Sequence, residues 1–117
     1  MNVLICDDSM TIRKKLSKSI KSIEDNVKIF EASDGQQGIN MFKEKEMDLV
    51  FLDIIMPKKN GLEVIKEIRE YDSEAKIVVL SSVGTEKNLK VALKNGAKDF
   101  IQKPWSEKNI KNILKGV

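Results

Sequence analysis

Apolar residues along this chain follow two alternating rhythms. Short apolar runs stand at Val3 to Cys6, Val27 to Ala32 (interrupted by Lys28 and Glu31), Leu49 to Leu52, Ile77 to Leu80 and Phe100 to Ile101, and their length and β-branched content predict strands. Between them, apolar residues recur every three or four positions, which predicts helices. The first helix carries Ile12, Leu16, Ile20 and Ile23 inward, the second Gly38, Ile39 and Phe42, the third Leu62, Ile65 and Ile68, and the fourth Leu89, Ala92 and Leu93. Asp8 or Ser9 caps the first helix, Asp34-Gly35 opens the second, Asn60-Gly61 the third, and the fourth follows Gly84 and stops at Asn95-Gly96. The fifth begins at Ser106 and ends at Gly116. Each of these is a residue type that satisfies free helix-end groups or takes a left-handed turn.

Five strand-helix units, with the first and third strands almost wholly apolar, predict a parallel sheet covered by helices on both faces. Right-handed crossovers then favour a doubly wound, flavodoxin-like three-layer α/β fold with five strands in the order 2-1-3-4-5. At 117 residues the chain is expected to form one domain, 1–117. Cys6, the single cysteine, lies in an apolar run and is expected to pack as a small hydrophobe, which suits a reducing cytoplasm. No run of about 18 apolar residues is present, so no membrane association is expected. With 21 basic and 18 acidic residues and a net charge of +3, the balance does not point to a nucleic-acid partner. Arg13, Lys14, Lys15, Lys18 and Lys21 are expected on the solvated side of the first helix.

Charge becomes informative at the strand ends, because doubly wound sheets bind ligands outside the carboxyl ends of their strands, where strand order reverses. Strand one ends at Asp7 and Asp8, strand three at Asp53, strand four at Ser81 and strand five at Lys103. Strand two ends near Asp34, an ordinary turn or cap residue, as an edge strand away from the crevice can. Three carboxylates at close quarters need a cation. Magnesium, which takes one or two carboxylates, waters and phosphate oxygens, suits such a site. Lys103 then offers a point charge to a phosphoryl group and Ser81 a donor, while Asp53, ending the central strand, is best placed as the nucleophile, since Asp can form an acyl phosphate.

The segments CDDS, FLDIIMPKKNGLEV, LSS and GAKDFIQKP, with the spacings among them, resemble the receiver domain of two-component response regulators, and within that family the single-domain chemotaxis regulators. The resemblance covers the whole chain. It implies a signalling protein, not an enzyme, in which Asp53 accepts a phosphoryl group from a phosphohistidine on a sensor histidine kinase. It implies magnesium held by Asp8, Asp53 and the backbone carbonyl of Ile55, with Asp7 acting directly or through water. Ser81 and Lys103 would bond phosphoryl oxygens, and Phe100 would turn inward as the Ser81 hydroxyl moves. The Lys103-Pro104 bond would be cis. Ser81 stands where threonine is more frequent in the family, and Phe100 lacks a tyrosine hydroxyl.

Lys87, Lys90, Val91 and Lys94 on the fourth helix, with Phe100 nearby, form the expected binding face for a downstream effector, together with the fifth strand and fifth helix. The resemblance also implies that Ile55 and Val83, both apolar and β-branched, stand at the positions flanking the path of a hydrolytic water, which predicts slow loss of the phosphoryl group. A monomer is expected. Three alternatives stand beside this reading. The chain can be a receiver trimmed from a longer regulator. A flavodoxin-like electron carrier shares the fold but needs a neutral phosphate loop where Asp7 and Asp8 stand. An aspartyl phosphatase needs a second acid two residues after its nucleophile, where this chain has Ile55.

Overall fold

A computed structural model of the protein describes residues 1–56, 58–82 and 84–117. Strands β1 (Asn2–Cys6), β2 (Lys28–Ala32), β3 (Leu49–Asp53), β4 (Ile77–Ser81) and β5 (Asp99–Gln102) alternate with helices α1 (Met10–Ile23), α2 (Gly35–Glu44), α3 (Gly61–Tyr71), α4 (Glu86–Lys94) and α5 (Glu107–Lys115). The strands form one parallel sheet in the order β2-β1-β3-β4-β5, as the hydrophobic rhythm predicts. The central strands β1 and β3 are apolar on both faces because both faces are covered. Leu4, Cys6, Val50 and Leu52 pack toward α2 and α3, against Ile39, Phe42, Val64 and Ile68. Val3, Ile5, Leu49 and Phe51 pack on the other side, with Leu16 and Ile20 of α1 and Ile110 and Ile113 of α5. Burying each of Leu16 and Ile20, both 0% exposed, contributes about 1.5–3 kcal/mol.

Helix starts follow the sequence cues closely. The Ser9 hydroxyl, not the exposed Asp8, caps α1 by accepting from Ile12 N at 3.2 Å. Asp34 caps α2 through Gln37 N at 2.8 Å. Asn60 with Glu63, and Ser106 with Asn109, close reciprocal capping boxes at the starts of α3 and α5. Gly96, at φ +115, ends α4 in the left-handed turn expected of Asn-Gly. One inward assignment needs correction: Leu93 is 37% exposed. The buried face of α4 centres on Ala92, and at about 100° per residue Leu93 falls on its rim. Val83, assigned above a role beside the phosphoryl group, and Pro57 lie outside the described residues.

Candidate functional site

Strand register assembles the site. Cys6 pairs with Leu52 across β1 and β3, so Asp7 and Asp53, one residue further on each, emerge side by side. Asp53 pairs with Leu80, and Ser81 with Gln102, which brings Ser81 and Lys103 to the same edge of the sheet. Carboxylate oxygens of Asp7, Asp8 and Asp53 lie within 4.8 Å of one another. The Lys103 ammonium reaches into this group, 2.8 Å from Asp7 Oδ2 and 3.3 Å from Asp53 Oδ2. The Lys103-Pro104 peptide bond is cis, as the resemblance implies.

The three acids differ in their surroundings. Asp7 is fully buried, and its carboxylate accepts from Ser9 N at 2.9 Å and from Lys103. Asp53 is half-buried and accepts from Ile55 N at 3.3 Å. Asp8 is exposed. Burial, and next the charge of Asp7, push the Asp53 carboxyl above its ordinary value despite Lys103. Burial alone would lower Lys103, but the hydrogen bond to Asp7 and the charges of both acids outweigh it and raise the ammonium. Three carboxylates against one ammonium leave an excess of negative charge on hard oxygen donors, a set that fits a divalent cation such as magnesium. Cys6 behind them is pushed up to about 12 by burial and by the charges of Asp34, Asp7 and Asp53. It is therefore a packed thiol, as expected.

Ser81 is buried, and its hydroxyl donates to Ile101 O at a long 3.4 Å. Beside it a cavity of about 140 Å³, lined by Ser81, Thr85, Leu89 and Phe100 among others, opens between α4 and β5. Phe100 is 42% exposed and stands outward. Lys87, Lys90, Val91 and Lys94 are all exposed on α4, and Ile55 is exposed after β3.

Two contributors escape sequence reasoning. Arg13, assigned to the solvated side of α1, has a side chain only 12% exposed and donates to the Asp7 carbonyl at 2.7 Å and to Glu31 Oε1 at 3.0 Å. A long guanidinium can turn back from a boundary position, which periodicity does not register. Gly61 was legible only as part of a helix-start dipeptide. Its N–H donates to Ile54 O at 2.7 Å, and a Cβ there would lie 2.7 Å from Ile54 Cα, so the glycine is what lets α3 begin against the residue after Asp53.

A doubly wound sheet whose strand ends gather three carboxylates, a hydroxyl and an ammonium defines a class of acidic, cation-seeking α/β domain. The family model of the response regulator receiver domain matches residues 3–115, and the chain belongs to that family. It is 36% identical over 116 residues to the chemotaxis protein CheY of Halobacterium salinarum, covering 98% of this chain and 94% of that protein. It is 39% identical over 115 residues to CheY of Thermotoga maritima, covering 98% and 95%. Among solved structures it resembles the CheX-CheY-BeF3-Mg2+ complex from Borrelia burgdorferi, with a TM-score of 0.88 and 34% identity over 99% of this chain and 87% of that chain. The protein is thus a CheY-like receiver domain of two-component signalling. Among the described residues, no helix is long and apolar enough to cross a membrane.

Proposed function

We propose that the protein is a phosphoacceptor switch of chemotaxis that takes a phosphoryl group from a sensor histidine kinase onto Asp53 and then binds a downstream effector as a cytoplasmic monomer. The observation that carries this reading is the clustering of Asp7, Asp8 and Asp53 within 4.8 Å, with the Lys103 ammonium bridging Asp7 and Asp53. Asp8, Asp53 and the Ile55 carbonyl would hold magnesium, with Asp7 acting directly or through water. When bound, the ion would neutralise charge on the transferring phosphoryl oxygens.

Every other role falls to the chain. Asp53 supplies the nucleophile: an O–P bond forms at its carboxylate as the P–N bond to the kinase imidazole breaks. One Asp53 oxygen is steadied by Ile55 N–H at 3.3 Å, which helps fix the direction of attack. Lys103, which bridges Asp7 and Asp53, moves its charge to a phosphoryl oxygen when Asp53 is phosphorylated. The Ser81 hydroxyl leaves its long bond to Ile101 O for another phosphoryl oxygen, and Phe100 turns into the cavity beside it. The α4-β5-α5 surface, with Lys87, Lys90, Val91, Lys94 and Phe100, is then altered, and an effector preferring that form shifts the population toward it. Solution of the Borrelia CheY complex with CheX and magnesium supports both the ion and a protein partner. One phosphoryl group is carried per chain, without enzymatic turnover.

The test is incubation with acetyl phosphate, with magnesium or with chelator, read by intact mass. The wild-type protein should gain one phosphoryl group only with magnesium, and Asp53→Asn none. Labelling that survives Asp53→Asn overturns the assignment.

A further inference from the structure

We infer that Arg13, anchored by Glu31, is a positioning residue that fixes the turn carrying Asp7 and Asp8 and thereby sets how tightly the acidic site holds a divalent cation. The inference rests on the cation-binding reading of that site.

The geometry is specific to Arg13. Its Nη1 donates to the Asp7 carbonyl at 2.7 Å and its Nε donates to Glu31 Oε1 at 3.0 Å, so one planar fork ties the end of β1 to β2. A guanidinium can hold two acceptors in fixed relative orientation, which an ammonium on a flexible stem does poorly. The Asp7 amide is already bound to the same strand, through Ala32 O at 3.1 Å. With its carboxylate taken by Ser9 N and Lys103, Asp7 has bonds on its amide, carbonyl and both carboxylate oxygens.

Asp8 inherits this order. Its side chain is exposed, so its direction depends on its backbone. The Asp7 carbonyl and the Asp8 nitrogen share one planar peptide unit. Clamping the carbonyl therefore sets the plane from which Asp8 departs. The bond also spans six residues, from the strand end into the first turns of α1, and encloses residues 8 and 9 between two fixed points.

Lys14 supplies an internal control. It too pairs with Glu31, at 2.7 Å, but its side chain is 66% exposed, and no bond joins it to Asp7 among the described residues. Removing Lys14 deletes a cation and an ion pair without touching the Asp7 carbonyl.

The sign of the effect separates positioning from simple charge. Removing a cation beside an acidic site should by charge alone tighten divalent-ion binding. Loss of positioning should weaken it, and outer-shell partners of metal ligands typically matter by about 10–100-fold. Magnesium titration by calorimetry is expected to show about tenfold weaker binding in Arg13→Met, partial recovery in Arg13→Lys, a loss of a few-fold in Glu31→Met and no loss in Lys14→Met. Amide hydrogen exchange at Asp8 and Ser9 in the metal-free protein should quicken in Arg13→Met and stay unchanged in Lys14→Met. Unchanged or tighter magnesium binding in Arg13→Met, or an equal loss in Lys14→Met, overturns the inference. Should Arg13→Met not fold, amide exchange at Asp8 and Ser9 in metal-free Arg13→Lys against Lys14→Met decides it, faster exchange in Arg13→Lys supporting the clamp and equal rates overturning it. A wild-type protein that fails to bind magnesium would sink the reading of the site instead, and the metal-free exchange comparison would still decide whether Arg13 holds the turn.

Discussion

Replacing Gly61 with alanine should injure stability and phosphoryl acceptance together, because this glycine lies against the strand end that carries Asp53. A Cβ at this position would sit 2.7 Å from Ile54 Cα, 2.9 Å from Ile54 O and 3.0 Å from Asp53 O, against 3.4 Å for ordinary contact. The backbone must then part by about 0.7 Å, and neither neighbour is a flexible side-chain tip. The Gly61 N–H to Ile54 O bond, 2.7 Å long, resists that separation. Overpacking of this kind costs about 1–3 kcal/mol, and the smaller unfolded-state entropy of alanine returns about 0.4–1 kcal/mol. A net loss of about 1–2 kcal/mol corresponds, for a domain of this size, to a Tm lower by about 4–8 °C. Since a misplacement of about 1 Å can cost about 100-fold in a positioned reaction, the shift beside Asp53 should slow phosphorylation by about tenfold. The assays are thermal unfolding by circular dichroism and the initial rate of labelling by acetyl phosphate with magnesium. A Gly61→Ala protein with wild-type Tm and wild-type rate would refute the close-approach argument.

Burial and the charge of Asp7 raise the Asp53 carboxyl, so the folded state holds that proton more tightly than the unfolded chain, and stability falls as pH rises from the ordinary carboxylate range through the raised value. Asp53→Asn should therefore stabilise the metal-free protein at about pH 7 and lose this advantage in acid, below the ordinary value of 3.8; urea midpoints that show no such crossover contradict the account. Lys103→Met leaves the buried Asp7 carboxylate with only the Ser9 amide, and should cost about 3 kcal/mol, part of it restored by magnesium; a denaturation midpoint matching wild type argues against a structural role for the ion pair. Because neither the Ile55 nor the Val83 side chain can hydrogen-bond a water, Ile55→Asn with Val83→Glu should hasten loss of the phosphoryl group, measured as decay of the phosphorylated protein, and equal decay rates would remove the apolar side chains as the control of lifetime.

Much of this molecule is written in its hydrophobic rhythm. Strands β1, β3 and β4 are buried nearly throughout, so their apolar runs stand out, and parallel register then carries the strand-end residues to one edge. That is why the sequence alone groups Asp7, Asp8, Asp53, Ser81 and Lys103. The edge strands are less legible. In β5 only Ile101 is buried, and nothing in the pattern says that Phe100 stands outward. Helix α4 touches the sheet through a narrow face centred on Ala92, so a single-residue error in phase moved Leu93 from rim to core. Arg13 was hidden for a different reason: periodicity places Cα atoms, whereas its function lies at the end of a side chain long enough to leave its own face. The steric role of Gly61 is invisible in sequence because it depends on the path of Ile54, distant from the helix-start signal that Asn60-Gly61 displays.

The identity of the phosphorylated residue decides most directly whether Asp53 is the acceptor. Protein labelled by acetyl phosphate with magnesium can be reduced with borohydride, which converts an aspartyl phosphate to homoserine, and then digested and sequenced by mass spectrometry. Homoserine is expected at position 53 alone, with Asp7, Asp8 and Ser81 unmodified. Conversion at Asp7 or Asp8, or a phosphate remaining on Ser81, would contradict it.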